Sequence, residues 1–149
     1  MNDDAVLSLE EFLPYRLNRL ADAVSREFSQ LYRSRYGLTR PEWRLLATLG
    51  QYGTMTATAV ARHSSMHKTK VSRAVLALEK RRWLTREPDG QDRRTEHLTL
   101  TRSGHEAYRE MVPVARQFEE RLLAMLTEKD RKSLLAGLAA LENKVIVAG

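Results

Sequence analysis

The sequence predicts a mainly α fold with one small β-hairpin, an α+β arrangement in which helices precede and follow the hairpin. Three observations predict it. Apolar residues recur at steps of three and four through most of the chain. Helix start signals stand in front of these stripes. Strand-like character occurs only between Leu84 and Thr101, on either side of the turn-forming run Pro88-Asp89-Gly90-Gln91-Asp92. With 149 residues, 42% of them apolar, the chain is long enough for one domain with a real core.

The first element opens on Ser8-Leu9-Glu10-Glu11, which reads as a capping box. Leu13, Leu17, Leu20, Val24, Phe28 and Leu31 then form one stripe on a long helix to about Tyr36, with Gly37 as its stop. Pro14 is expected to break or kink the first turns. A second helix starts at Thr39-Arg40-Pro41-Glu42, carries Trp43, Leu46, Ala47 and Leu49, and ends at Gly53. Thr56 caps a short third helix to about His63, Ser64-Ser65-Met66 makes a turn, and a fourth helix runs from about His67 to Arg82. Its buried stripe is Val71, Val75 and Leu78, and Lys80, Arg81 and Arg82 suit the negative end of its dipole.

Two strands follow, Leu84 to Glu87 and Thr95 to Thr101, the second with Leu98 and Leu100 on one face. Thr101 opens another long helix, striped by Tyr108, Met111, Ala115, Phe118, Leu122 and Met125, with a bend expected at Pro113. Thr127-Glu128-Lys129-Asp130 caps a last helix bearing Leu134, Leu138, Leu141 and Val145. The first helix is too long for a small monomer to cover its stripe, so it is expected to pack on a second copy.

Charge narrows the function. The net charge is +6 and the isoelectric point about 9.9. Residues 1–55 carry seven basic and seven acidic side chains, as do residues 103–149, whereas residues 56–102 carry eleven basic against five acidic. One surface facing a polyanion, with flanks serving another purpose, has this partition. Cysteine is absent, which excludes disulfides, thiolate-bound zinc and thiol chemistry. The acidic start Met1-Asn2-Asp3-Asp4 and the lack of an apolar run of about 20 residues point to a cytoplasmic protein with no membrane partner. No phosphate-binding glycine loop, nucleophile elbow, His-Glu-x-x-His or placed acid pair is present, so no enzyme and no cofactor are expected. His63 and His67 are four apart, but a turn intervenes and no third ligand is evident, so no metal is expected either.

Two short helices joined by a tight turn and followed by a hairpin make a winged helix-turn-helix. Opposite the buried face of its second helix lie His67, Lys68, Thr69, Lys70, Ser72 and Arg73, types that hydrogen-bond base edges or neutralise phosphates. Thr56 and Thr58, with Ser64 and Ser65, are short donors suited to phosphate oxygens, helix caps, or both. Asp92-Arg93-Arg94 sits at the hairpin tip, where an extended arginine can enter a minor groove. Asp92 either holds the Arg94 guanidinium or pairs with the turn backbone. Double-stranded DNA is the expected partner.

These features resemble the MarR family of bacterial transcription regulators. The resemblance rests on Leu38-Thr39-Arg40-Pro41-Glu42-Trp43-Arg44-Leu45-Leu46, Lys68-Thr69-Lys70-Val71-Ser72-Arg73, Leu78-Glu79-Lys80-Arg81-Arg82-Trp83-Leu84 and the Asp92-Arg93-Arg94 wing ending in Leu98-Thr99-Leu100-Thr101. It implies a single domain over 1–149, with dimerisation helices at 1–36 and 102–149 around a DNA-binding winged helix-turn-helix at 38–101. It further implies an obligate homodimer reading a pseudo-palindrome, with Arg94 as the minor-groove arginine. Trp83 is read as standing where the family commonly has glycine.

The resemblance also implies release from DNA by a small aromatic anion. Arg33, Arg35, Arg40 and Arg44 bracket the junction of the first two helices among Tyr32, Tyr36 and Trp43, with Arg16 and Arg19 further along the first helix. Guanidiniums beside aromatic rings suit an aromatic carboxylate or its coenzyme A thioester; the same arginines also suit solvent or nearby acids. The expected protein is a homodimeric repressor responsive to such an effector, and the alternative is an architectural or ligand-independent winged-helix DNA-binding protein.

Overall fold

A computed structural model of the chain describes residues 5–146. The helices are α1 (Leu13–Tyr36), α2 (Arg40–Tyr52), α3 (Ala57–Ser64), α4 (Lys68–Lys80), α5 (Arg102–Ala124) and α6 (Glu128–Val145). The strands are β1 (Met55–Thr56), β2 (Leu84–Pro88) and β3 (Glu96–Leu100). The chain divides into two compact units at Met111 and Val112, within α5.

In the first unit, α2, α3 and α4 pack around Leu45, Leu46, Leu49, Val60, Val71, Val75 and Leu78, all essentially inaccessible to water. Burying one such side chain contributes roughly 1.5–3 kcal/mol, which makes this cluster the anchor of the unit. Strand order is β1-β3-β2, antiparallel throughout, with Leu84 opposite Leu100 and Met55 opposite Leu98. Leu84, Leu98 and Leu100 seal the sheet against the helices. The two-residue β1 was not expected from the sequence; a strand this short has no alternation to read, and pairing with β3 alone defines it.

Several local expectations change. α1 starts at Leu13, not at a Ser8 box: the Ser8 carbonyl accepts from the Glu11 and Phe12 amides in a separate turn, and no side chain caps α1. Pro14 therefore lies in the first helical turn, where an amide has no intrahelical partner, and it initiates the helix instead of breaking it. Thr39 caps α2 as expected, accepting from the Glu42 amide at 3.4 Å. α3 extends to Ser64, with Ser65 left-handed at φ 55°. α5 passes through Pro113 without ending, while Met125, expected on its stripe, lies past the last helical residue and is exposed.

α4 ends at Lys80, not Arg82, because Arg82 turns left-handed at φ 62° to send the chain into β2. The conformation that favours glycine is thus at Arg82, one residue before the Trp83 position expected to replace it. A non-glycine residue held there costs about 1 kcal/mol, so Arg82→Gly is expected to raise stability by about that amount in equilibrium urea unfolding.

The second unit holds the remainder of α5 and all of α6. Thr127 caps α6, accepting from the Asp130 amide at 3.1 Å. None of α6 is buried, and exposure along its apolar stripe runs from 38% at Leu134 to 66% at Val145.

Candidate nucleic-acid interface

On α4 the apolar period sets which residues face outward. Val71, Ala74, Val75 and Leu78 face the core, leaving Lys68, Thr69, Lys70, Ser72 and Arg73 exposed together. His67 is also exposed and forms the N-cap of α4, its Nδ1 accepting from the Thr69 amide at 3.2 Å. That bond leaves Nε2 to carry the proton of the neutral ring and to act as a donor. The Lys68, Lys70 and Arg73 side chains enter no ion pair among the described residues.

The short donors divide by environment. The Thr56 hydroxyl oxygen accepts from the Ala59 amide at 3.1 Å to cap α3, and Thr58 is exposed. Ser64 donates its hydroxyl proton to the Val60 carbonyl at 2.5 Å and has none left for a phosphate, whereas Ser65 is exposed. Of the expected phosphate donors, Ser64 is the one the local structure withdraws.

The hairpin tip is braced by its own backbone. The Asp89 amide donates to the Thr95 carbonyl at 2.8 Å and the Thr95 amide to the Asp92 carbonyl at 3.0 Å. Asp92 Oδ1 accepts from the Arg94 amide at 3.0 Å, so of its two expected partners it takes the turn backbone, and the Arg94 guanidinium enters no ion pair among the described residues. Arg93 and Arg94 are both exposed. A residue the sequence reading did not single out orients this wing. Arg86 on β2 donates to Glu79 on α4 at 2.9 and 3.2 Å and lies 3.5 Å from Glu96 on β3. The hydrogen bonds and charge of the Glu79 carboxylate push its already high pKa further up, so the arginine side of the bridge stays charged. Between α4 and the wing lies a cleft of about 310 Å³, lined in part by Thr56, Thr58, Ser72, Leu76, Arg94 and Thr95. Leu76, half exposed and one turn beyond Ser72, was also missed; its place on the polar face follows from the four-residue spacing, but its apolar type hid it.

The residues expected to bind an effector do not form one site. Tyr32 is buried at 1% exposure and stacks on Trp43 with ring centroids 5.7 Å apart, and Phe28 lies 5.2 Å from Trp43. Burial raises the Tyr32 pKa against the opposing pull of Arg40. In this aromatic cluster Tyr32 is buried, while Phe28 and Trp43 are half-buried. Tyr36 donates to the Glu110 carboxylate and meets the Trp83 ring edge-on at 5.2 Å. Burial, then that carboxylate, push its phenol up to about 12. Arg35 is exposed with no ion pair among the described residues. Arg33, Arg40 and Arg44 line a cleft of about 400 Å³ with Ser65, Met66, His67 and Lys70, which places them with DNA-facing residues. Arg16 and Arg19 line a separate depression of about 540 Å³ on α1 with Tyr15, Leu17 and Leu20, and Arg19 sits 6.0 Å from the Tyr15 ring. The two histidines considered for zinc are engaged elsewhere: His63 Nε2 lies 3.0 Å from the Tyr52 hydroxyl, and His67 caps α4.

Comparison with known proteins matches this arrangement. The MarR family profile matches residues 36–95. The crystal structure of the MarR family transcriptional regulator SPO1453 from Silicibacter pomeroyi is 30% identical, covers 91% of this chain and 98% of its own, and superposes with a TM-score of 0.75. The protein belongs to the MarR family. The transcriptional repressor MprA of Escherichia coli is 37% identical over 87 residues, 54% of this chain and 49% of MprA. Bordetella bronchiseptica BpsR, whose DNA binding is regulated by 6-hydroxynicotinic acid, shares the fold at 23% identity and a TM-score of 0.77, with 92% of this chain and 97% of BpsR covered.

As a MarR-family member the protein is a DNA-binding transcriptional regulator and not an enzyme. The MarR profile spans α2 through the wing tip, the stretch that contains the exposed face of α4 and most of the surplus positive charge. Among the described residues, no helix is long and apolar enough to cross a membrane.

Proposed function

We propose that this MarR-family regulator is a homodimeric repressor that acts in the cytoplasm on a pseudo-palindromic operator and is released by an aromatic carboxylate or its coenzyme A thioester. The observation that carries the DNA-reading part is the free polar and cationic row of α4 set across a narrow cleft from a rigid, arginine-tipped wing. In this reading His67, Lys68, Thr69, Lys70, Ser72 and Arg73 enter the major groove, while Thr58, Ser65 and Arg93 meet phosphates and Arg94 enters the minor groove. Dimerisation is supported by the uncovered leucines of α6 and of the first turns of α1, which a second copy would bury. Two copies related by a twofold axis would read half-sites about one helical turn apart.

Effector response is supported by the aromatic acid that regulates BpsR and by the Arg16, Arg19 and Tyr15 depression, where two guanidiniums adjoin an exposed ring. The test combines binding to the DNA upstream of the coding sequence, binding to random duplex across a salt series, and thermal shift with 6-hydroxynicotinic acid, phenolic acids and their thioesters. The expected results are a preference of about a thousandfold or more for the upstream DNA and a stabilising acid whose effect Arg16→Gln with Arg19→Gln removes. A shared salt slope with no preference would identify an architectural protein instead.

A further inference from the structure

The cleft lined by Arg33, Arg40, Arg44, Ser65, His67 and Lys70 joins two groups of residues that the sequence keeps well apart. Arg33 ends α1 and Arg40 and Arg44 begin α2, whereas Ser65, His67 and Lys70 belong to the turn and first helical turn that lead the recognition helix. Among the described residues, no carboxylate lines it. Arg40 shares Asp22 at 3.3 Å with Arg26, and Arg33, Arg44 and Lys70 have no ion pair among the described residues. The three unpaired cations gathered on one concave surface repel one another and favour an anion between them.

The lining also selects the kind of anion. Its apolar members are Pro41 and Met66 alone, and the nearby rings of Tyr32 and Trp43 are stacked on each other instead. A flat acid would find cations there but no ring to lie on. A phosphate needs only the cations, the His67 Nε2–H and the Ser65 hydroxyl. Because His67 and Lys70 also belong to the face of α4 that meets DNA, a duplex held by that face runs its backbone beside the cleft.

We infer that this cleft is a phosphate site that takes a backbone phosphate of bound DNA, extending the contact surface beyond the helix-turn-helix and wing onto α1 and α2 through Arg33, Arg40 and Arg44. The inference rests on the DNA-binding reading above. Its contribution is to affinity and register, not to base choice, since a phosphate carries no sequence information.

The test measures binding of the full chain to a 30-base-pair random duplex and to the upstream DNA across a salt series, for the wild type and for Arg33→Gln with Arg44→Gln. The double variant is expected to bind both duplexes more weakly by about the same factor, roughly tenfold per protomer near 0.1 M salt, with the salt slope shallower by about 0.9 for each phosphate lost. Arg33→Gln alone, at an exposed position, shifts the slope in the same direction and serves if the double variant folds poorly. An unchanged slope, or a loss confined to one of the two duplexes, overturns the inference. Thermal shift with inorganic phosphate and with coenzyme A separates the other source of the same chemistry. If coenzyme A stabilises the wild type but not the double variant while the DNA slope stays unchanged, the cleft serves a free phosphate ester and the DNA assignment falls. Wild-type protein that binds no duplex would end the broader reading; wild-type binding with an unaltered slope in the variant ends only this one.

Discussion

Arg94→Ala is expected to lower affinity for operator DNA by about tenfold or more per protomer, with no change in thermal stability. The expectation follows from how the tip is built. The turn is held by the Asp92 carboxylate on the Arg94 amide and by the backbone bonds from the Asp89 amide to the Thr95 carbonyl and from the Thr95 amide to the Asp92 carbonyl. Removing the Arg94 side chain leaves those bonds intact, because its guanidinium contributes to none of them. What is lost is a cation carried on a rigid extension, and a groove contact of this kind is worth about 1–3 kcal/mol. Fluorescence anisotropy against a labelled upstream fragment reads the loss, and circular dichroism melting checks the fold. Asp92→Ala gives the complementary result: it keeps the arginine but frees the turn, so affinity falls through lost preorganisation. Unchanged affinity in a correctly folded Arg94→Ala protein would show that the wing tip does not touch DNA.

Gly104→Ala is expected to destabilise the protein by about 2 kcal/mol or more, although alanine is the better helix former by about 1 kcal/mol. A Cβ at Gly104 would lie 2.2 Å from the Trp83 carbonyl oxygen and 3.3 Å from a Leu100 methyl. The colliding atom is backbone, tied down by the Thr101 amide, which donates to the same carbonyl at 2.9 Å. The Thr101 hydroxyl adds a second tie, donating to the Arg82 carbonyl at 2.7 Å. The first turn of α5 would have to lift off the base of the wing, and overpacking of this kind costs about 1–3 kcal/mol even where side chains can yield. For a chain of this length the expected fall in melting temperature is roughly 4–8 °C. Gly90→Ala is the control: its added Cβ meets nothing within 4 Å, and stability should not change. Equal melting temperatures for Gly104→Ala and the wild type would mean that α5 does not approach Trp83 this closely.

The contrast between these two substitutions shows what the sequence could reveal. Arg94 was legible because hairpin, charge and turn chemistry are local: neighbouring residues determine that the tip is polar and that an aspartate stands two places before the arginine. Gly104 was not, because its reason to be glycine lies in Trp83, about twenty positions earlier, and becomes visible only when α5 meets the base of the wing. The Arg82 turn is an intermediate case. The basic run announced the end of α4, but placing the left-handed residue at Arg82 and not at Trp83 required the backbone itself.

By itself the sequence determined the helical periods, the caps at Thr39, Thr56, Thr101 and Thr127, the hairpin, and the outward row on α4, since each depends on spacing within a few residues. Only the tertiary structure decided which distant residues share a surface. It set Tyr32, Phe28 and Trp43 against one another, placed Arg16 and Arg19 on a different depression from Arg33, Arg40 and Arg44, and brought the latter three to the start of the recognition helix. It also bound the wing to α4 through Arg86 and Glu79. The physical reason is the same throughout: hydrogen-bonded secondary structure is written in short-range order, whereas a binding surface is assembled by hydrophobic burial that folds remote segments together and is indifferent to which polar side chains it leaves side by side.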